Sequence, residues 1–354
     1  MQGTHAGAWD THAGAWPVVG HQWAVDLLRP LVQSGGSGPR HAYLFLGPPQ
    51  IGKSTLAYVF GTALLCTDPE TRPCGRCRSC RLMAKRGHPD FWLIQPTDKD
   101  GAVDRANGLL RGEAATAIVR DAMLRPVEGQ YKFVLIQDAH RANDTFANKL
   151  LKTLEEAPAH VVLCLTASDR ADLLPTIVSR CQVLELRPLP IELIARSLES
   201  QSAASHDQAD LLARLSNGRM GWAMAQLQSK GGLEQRREDL QSLWQLARAS
   251  RVERLAFSQA LSSSRENERL FGLLALWTGW WRDVLLAQAG CLDACNNIDH
   301  QAEIERDAES FLPIDVQSFL YTLRRIEGYL HHTVNTTLAL DVLLLQLPRP
   351  VVNR

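Results

Sequence analysis

The residues with the clearest chemistry form a glycine-rich stretch at 47–55, which reads Gly-Pro-Pro-Gln-Ile-Gly-Lys-Ser-Thr. This stretch fits the phosphate-binding loop, in which a Gly, four residues and a second Gly precede Lys and then Ser or Thr. Backbone N–H groups of such a loop bind an anion together with the start of the next helix. We expect Lys53 to reach the outer phosphates of ATP or ADP, and the hydroxyl of Ser54 to bind Mg²⁺. The predicted loop contacts are Gly47, Gly52, Lys53, Ser54 and Thr55.

Four cysteines form a second group of candidate ligands. Cys74, Cys77 and Cys80 are spaced by two residues, and Cys66 lies upstream of them. Cysteines at this spacing can bind one zinc ion, and four thiolates complete a tetrahedron without an open position. We therefore predict a structural zinc site at these four residues, with four unrelated thiols as the alternative. The other cysteines are scattered, and we expect them to pack in the interior.

The elements that would position these groups alternate along the chain. Apolar runs predict strands, and amphipathic patterns predict helices. Their alternation indicates an α/β domain with a parallel sheet covered by helices on both faces. The predicted strands are 42–46, 91–94, 133–136, 161–165 and 183–186. The predicted helices are 20–32, 56–66, 114–123 and 142–156.

Ligands of such sheets bind at the carboxyl ends of the strands. Asp138 and Thr166 lie at two of these ends, so we predict both in the nucleotide site. Asp138 is the expected magnesium-side carboxylate and the partner of Ser54. We interpret His140 as a helix-start or surface histidine rather than a base.

The overall composition is that of an ordinary globular protein. The chain has 354 residues, of which 45% are apolar and 21% are charged, and its formal net charge is zero. This length predicts two or three domains, and the balanced charge gives no general sign of nucleic-acid or membrane binding. We find no apolar run of about 18 residues that could span a bilayer and no secretion signal. We therefore predict a cytoplasmic protein with reduced thiols.

A short tandem repeat opens the chain. Thr-His-Ala-Gly-Ala-Trp occurs at 4–9 and again at 11–16. It is too short to be the unit of a solenoid. We predict that residues 1–16 are a disordered extension and that folded structure begins near Pro17.

Several motifs are similar to those of the bacterial DNA polymerase III clamp loader, whose subunits are AAA+ proteins. They are Val-Val-Gly-His at 18–21, the phosphate loop with its preceding strand, the cysteine cluster, Gly-His-Pro-Asp at 87–90, and the stretches 148–158 and 174–181. The last stretch ends in Ser-Arg-Cys, which is highly characteristic of clamp loaders. Together the motifs cover about residues 17–187. Gly-His-Pro-Asp points to the delta-prime subunits rather than to the motor subunit.

The resemblance implies an AAA+ module at 17–187, a small helical lid at 188–234 and a helical collar for oligomerisation at 235–354. It implies a hetero-oligomeric ring with gamma/tau-like and delta-like subunits, which contacts a sliding clamp and primed DNA, and no membrane. Arg180 in Ser-Arg-Cys would be an arginine finger that reaches the ATP of a neighbouring subunit. The alternative is that Arg180 pairs with a carboxylate of its own chain, such as Glu185. We interpret the tryptophans at 277, 280 and 281 as core or interface anchors, and base stacking as the less favoured role.

Two departures from the motor subunits bear on activity. Those subunits carry a Glu after the Asp to orient water, whereas Ala139 follows Asp138 here. They also carry a lid Arg that touches the γ-phosphate, and Gly221 falls at that position. The sequence therefore favours a delta-prime-like subunit that binds nucleotide and hydrolyses it poorly or not at all. An ATP-hydrolysing motor subunit of the same machine is the alternative.

Overall fold

The computed structural model describes residues 14–33, 35–105, 108–122, 124–202, 204–229, 231–263, 267–330 and 334–351. The chain divides into two compact units. The first is Met1–Ile194 with Gly218–Trp222, and the second is Ala195–Asn217 with Ala223–Arg354. The three-part division into AAA+ module, lid and collar stays a prediction.

A five-stranded sheet forms the centre of the first unit. Its strands are β1 (Ala42–Leu46), β2 (Phe91–Ile94), β3 (Lys132–Ile136), β4 (Val161–Ala167) and β5 (Gln182–Glu185). They lie in the order β2-β3-β4-β1-β5, and all pairs are parallel. Every residue of β1, β3 and β4 is buried, as expected for strands covered on both faces. The predicted α/β fold with a parallel sheet is confirmed.

Helices cover both faces of this sheet. They are α1 (Gln22–Val32), α2 (Lys53–Leu65), α3 (Arg78–Ala84), α4 (Gly112–Ala122), α5 (Asp144–Glu156) and α6 (Pro175–Val178). Alternate residues of a strand point to opposite faces. Tyr43 and Phe45 of β1 pack with Phe60 of α2 on one face, while Leu44 packs with Phe146 of α5 on the other. Strand β1 therefore lies between two separate apolar cores. The loop that follows it is anchored by buried residues of β1 at one end and of α2 at the other.

Folded structure begins earlier than the sequence predicted. Trp16 was expected in a disordered extension, but it is buried and its ring lies 6.4 Å from that of Phe60. Its indole N–H donates to the carbonyl of Arg72 at 3.2 Å. The burial of a large aromatic side chain outweighs the backbone entropy lost by the segment that carries it. Residues 1–13, which include most of the repeat, lie outside the described residues.

The chain after β5 is helical. Its helices are α7 (Ile191–Ser202), α8 (His206–Leu215), α9 (Met220–Gln228), α10 (Gly232–Arg248), α11 (Arg251–Ser263), α12 (Asn267–Gln288), α13 (Gln301–Ser310), α14 (Pro313–Leu330) and α15 (Thr336–Leu345). Trp277, Trp280 and Trp281 of α12 have no exposed surface and form the core of the second unit. The core interpretation is confirmed, and base stacking is wrong because the rings are inaccessible. Across the described residues, we find no helix both long and apolar enough to cross a membrane.

A buried arginine joins two helix ends in this unit. Arg254 of α11 is fully buried. Its guanidinium donates to the carbonyls of Leu246 and Ala247 at the end of α10, at 3.0 and 2.9 Å. It also donates to the carbonyls of Leu344 and Leu347 at the end of α15, at 3.2 and 2.9 Å. One side chain thus supplies donors to carbonyl groups near the ends of two helices, where helical hydrogen bonding is incomplete.

Candidate nucleotide site and cysteine cluster

The loop at 47–52 has the backbone of a phosphate-binding loop. Gly47, Gln50 and Gly52 have φ angles of 138°, 62° and 114°, in the region that favours glycine. A Cβ on Gly47 would lie 2.4 Å from the carbonyl oxygen of Leu186, so only glycine fits there. Ser54 and Thr55 lie in the first turn of α2, where helical N–H groups lack helical acceptors and can bind an anion.

Lys53 is folded back onto its own loop. Its Nζ donates to the carbonyls of Gly47 and Pro48 at 2.5 and 2.8 Å. Burial lowers the pKa of Lys53 to about 8, and the negative charge of Asp138 opposes that shift. A bound phosphate would supply the negative charge that this buried ammonium group otherwise lacks.

Asp138 lies just beyond β3, with its backbone fixed by Thr166. Its φ and ψ angles of 53° and 52° are left-handed. Its N–H donates to the hydroxyl oxygen of Thr166, a buried residue of β4, at 3.1 Å. Thr166 therefore holds Asp138 in place. A direct contact of Thr166 with nucleotide stays a prediction.

The carboxylate of Asp138 is engaged by an arginine that sequence reasoning missed. Arg105 contacts the Oδ2 atom of Asp138 through both Nε, at 2.8 Å, and Nη2, at 2.7 Å. Arg105 lies in the connection between β2 and α4 and belongs to no recognisable motif. The carboxylate expected to bind Mg²⁺ is thus paired with a guanidinium.

The residues after Asp138 form a 3₁₀ turn at Ala139–Arg141. Ala139 is buried, and His140 is partly buried. Burial lowers the pKa of His140, so the imidazole is neutral at pH 7. This differs from the expected surface histidine, although the position at a helix start is as predicted.

Gly221 touches the phosphate loop through its backbone. Its N–H donates to the carbonyl of Gln50 at 2.9 Å, and a Cβ at this position would lie 2.7 Å from that oxygen. The guanidinium of nearby Arg219 lies over the ring of Trp222, 5.7 Å from its centroid. At the position where motor subunits carry an Arg, the backbone of Gly221 therefore packs directly against the carbonyl of Gln50.

Arg180 follows α6 and is partly exposed. Its Nη2 atom lies 2.6 Å from Oε1 of Glu155, at the end of α5, and its Nη1 donates to the carbonyl of Thr176 at 3.0 Å. Ser179 also donates to that carbonyl, at 3.1 Å, and so fixes the turn. The local carboxylate is Glu155 rather than Glu185.

The four cysteines predicted to bind zinc converge. The Sγ atoms of Cys66, Cys74, Cys77 and Cys80 all lie within 4.8 Å of one another. The Cys66–Cys77 and Cys74–Cys80 distances are 3.9 and 4.0 Å, close to the ~3.8 Å between sulfurs on one tetrahedral zinc ion.

Backbone N–H groups also point at these sulfurs. Those of Cys77 and Cys80 donate to the Sγ atoms of Cys74 and Cys77, each at 3.3 Å. Such donors stabilise thiolates and orient them for a metal. The hydrogen bond with the Cys80 thiol lowers the pKa of Cys66, which favours a thiolate within this cluster. The donor set fits structural zinc.

A family model described as "DNA polymerase III, delta subunit" matches residues 22–190, which contain both sites. This chain is therefore similar to that family over residues 22–190, a little under half of its length. The delta' subunit of DNA polymerase III from Pseudomonas aeruginosa is 36% identical over 223 residues, which are 60% of this chain and 64% of that protein. The delta' subunit from Haemophilus influenzae is 31% identical over 226 residues, 63% of this chain and 66% of that protein. The match thus spans a little under two thirds of the delta' relatives.

Similarity also extends to the tau subunit of DNA polymerase III from Escherichia coli. That protein is 31% identical over 191 residues, 52% of this chain and 28% of the tau subunit. Among solved structures, a DNA polymerase III gamma subunit-related protein from Thermotoga maritima aligns with 91% of this chain and 97% of its own. Its sequence identity is 15% and its TM-score 0.44.

Proposed function

We propose that this chain is a delta'-like subunit of a DNA polymerase III clamp loader and takes part in the ATP-dependent loading of a sliding clamp onto primed DNA. The observation that carries this proposal is the 31–36% identity to delta' subunits over about 60% of the chain. Gamma/tau-like and delta-like subunits would complete the ring. A cytoplasmic location goes with this role.

Within that role, the chain binds ATP or ADP without appreciable turnover. The glycine geometry of the loop and the buried Lys53 support binding. Hydrolysis requires a group that orients water, and Ala139 has no polar side-chain atom. Gly221 has no side chain with which to contact a γ-phosphate.

A motor subunit is the second candidate, because similarity to tau covers half of the chain. The two candidates differ in a direct assay. A motor subunit turns over ATP alone or when stimulated by DNA, whereas a delta'-like subunit contributes no turnover of its own. Reconstitution with the partner subunits, with the loop Lys replaced in one polypeptide at a time, identifies which loop clamp loading requires. If clamp loading is lost only when the loop Lys of a partner subunit is replaced, and not when Lys53 is replaced, the delta'-like role is supported.

Replacing Lys53 with alanine should weaken ATP and ADP binding at least about tenfold, because a charged hydrogen-bond donor to phosphate is lost. Turnover by the isolated chain should stay at background before and after the change. Calorimetric titration and an ATPase assay measure the two effects. Lys152→Ala, at an exposed position on α5, is the control and should bind like the unaltered chain. Turnover at the rate of a motor subunit would assign the other role.

We further propose that Cys66, Cys74, Cys77 and Cys80 hold one structural zinc ion as thiolates. The convergence of the sulfurs supports this proposal, and metal binding would stabilise a segment that has little apolar core of its own. Four protein ligands leave no position for a substrate. The ion would therefore act on folding of this segment rather than on nucleotide.

Replacing Cys77 with serine should remove most of the zinc and increase proteolysis between residues 66 and 80, because a hydroxyl is a poor zinc ligand. Nucleotide affinity should change little. Elemental analysis of protein expressed with ample metal should find about one zinc per chain, and limited proteolysis reports the loosened segment. Cys291→Ser, at an exposed cysteine, should retain its zinc. Absence of zinc from the unaltered protein would refute the site.

A further inference from the structure

We propose that the nucleotide site of this chain works without a divalent cation, because Arg105 occupies the carboxylate that the metal would need. The inference rests on the proposed binding of ATP or ADP. It concerns the identity of the ligand, which would be the free nucleotide rather than its magnesium complex.

Whether the site can bind Mg²⁺ depends on the oxygen ligands that its residues provide. Mg²⁺ requires near-octahedral oxygen ligands at about 2.1 Å and is held in such sites by a carboxylate together with phosphates. Asp138 is the carboxylate that the sequence offered, with Ser54 as its partner. The Oδ2 atom of Asp138 already accepts two hydrogen bonds from Arg105, at 2.7 and 2.8 Å. A divalent cation bound to the same group would be repelled by the guanidinium, so this donor set does not fit Mg²⁺.

The geometry of Asp138 favours the pair over a metal. The side chain of Asp138 is 15% exposed and that of Arg105 is 48% exposed, so water screens this ion pair from the Arg105 side more than from the Asp138 side. Thr166 fixes the backbone N–H of Asp138 at 3.1 Å, which limits movement of the carboxylate away from Arg105.

Arg105 can supply positive charge to the phosphates in place of a metal ion. A guanidinium has five N–H donors, and Asp138 engages its Nε and Nη2 atoms. The remaining donors can bind phosphate oxygens with the charge-assisted geometry that arginine provides. Arg105, Asp138 and Lys53 lie close enough to act electrostatically on one another. Two cations and one carboxylate give this group a net positive charge without any metal.

The test measures affinity of the full-length isolated chain for ADP and ATP, with and without Mg²⁺. Nucleotide stocks are passed over a chelating resin, so that no soluble chelator reaches the cysteine cluster. We expect the unaltered chain to bind each nucleotide with affinities that agree within about twofold in the two conditions. Arg105→Gln should lose about tenfold in affinity without metal, and Mg²⁺ should restore much of that loss. Arg120→Gln, on the exposed face of α4, should behave like the unaltered chain.

Manganese provides a readout independent of affinity. In electron paramagnetic resonance, the unaltered chain with ADP should immobilise no more Mn²⁺ than ADP alone, whereas Arg105→Gln should immobilise Mn²⁺ in a protein-bound complex. Binding of the unaltered chain that needs Mg²⁺, with a gain of tenfold or more, would overturn the inference and leave nucleotide binding intact. Failure to bind either nucleotide in both conditions would overturn the proposed nucleotide site itself.

Discussion

Replacing Arg180 with alanine should sharply lower the clamp- and DNA-stimulated ATPase of the reconstituted complex while this chain stays folded. An arginine supplied across a subunit boundary stabilises charge on the transferring phosphoryl group, and such a finger changes the rate at its own site by about 10³ to 10⁵. Other sites of a ring continue to turn over, so total turnover should fall by less. The chain's own nucleotide and zinc content should not change, because Arg180 touches neither site.

The contacts of Arg180 are compatible with such a role. Its side chain is 35% exposed and that of Glu155 is 50% exposed, and exposed ion pairs contribute only about 0–1 kcal/mol. The guanidinium can therefore exchange Glu155 for a phosphate at little cost. Glu155 therefore holds Arg180 in the isolated chain without preventing the predicted role of Arg180 as an arginine finger.

Steady-state ATP turnover and clamp loading by the mixed complex measure the effect. Arg180→Lys should recover only part of the rate, since an ammonium group lacks the planar fork that holds two phosphate oxygens. Arg187→Ala, at an exposed position beyond β5, should leave turnover unchanged, and Glu155→Gln should preserve it. If the complex of Arg180→Ala assembles and turns over at the unaltered rate, Arg180 is a structural residue.

Replacing Arg254 with methionine should cost about 3–5 kcal/mol of the unfolding free energy of the second unit. The change keeps an unbranched side chain of similar length but removes every donor. Carbonyl groups at the ends of α10 and α15 then lose their guanidinium donors within a core that water does not reach. A buried polar group left without a partner costs about 1–3 kcal/mol.

Urea unfolding measures this loss, with fluorescence of the buried tryptophans of α12 as the probe. The midpoint should fall with an unchanged slope, since the surface exposed on unfolding stays the same. Thermal unfolding should shift downward by about 10 °C. Arg251→Met, at an exposed position on the same helix, is the matched control and should shift neither midpoint. Equal midpoints for the two variants would show that Arg254 does not join the helix ends energetically.

The strands of the sheet were predictable because they are buried on both faces. A continuous apolar run such as 133–136 is visible without any knowledge of its neighbours, and each predicted strand differs from the observed one by no more than two residues at either end. Helix starts were less predictable. Helix α2 begins at Lys53 rather than at Leu56, because the loop geometry, and not apolar periodicity, sets its first turn.

The candidate sites were predictable where their residues are close in sequence or, as for Asp138 and Thr166, lie at the carboxyl ends of predicted strands. The phosphate loop and the cysteine cluster each lie within a short stretch, and spacing alone indicates them. Arg105 contacts a residue 33 positions away, and Arg180 one 25 positions away. Such pairs depend on how the sheet brings connections together, which residue spacing does not encode. Trp16 was missed for the same reason, since its partner Phe60 lies on α2.

The contact between Gly221 and Gln50 has an evolutionary consequence. A side chain at position 221 would collide with the carbonyl of Gln50, 2.7 Å from a Cβ, so acquiring an arginine there requires the loop to shift as well. A glutamate at position 139 would have to place a charge where alanine is now buried, which is unfavourable without a partner. Neither single change is neutral on its own. In the proposed non-hydrolysing role, acquiring either residue of a motor subunit would therefore require a compensating change elsewhere in the site.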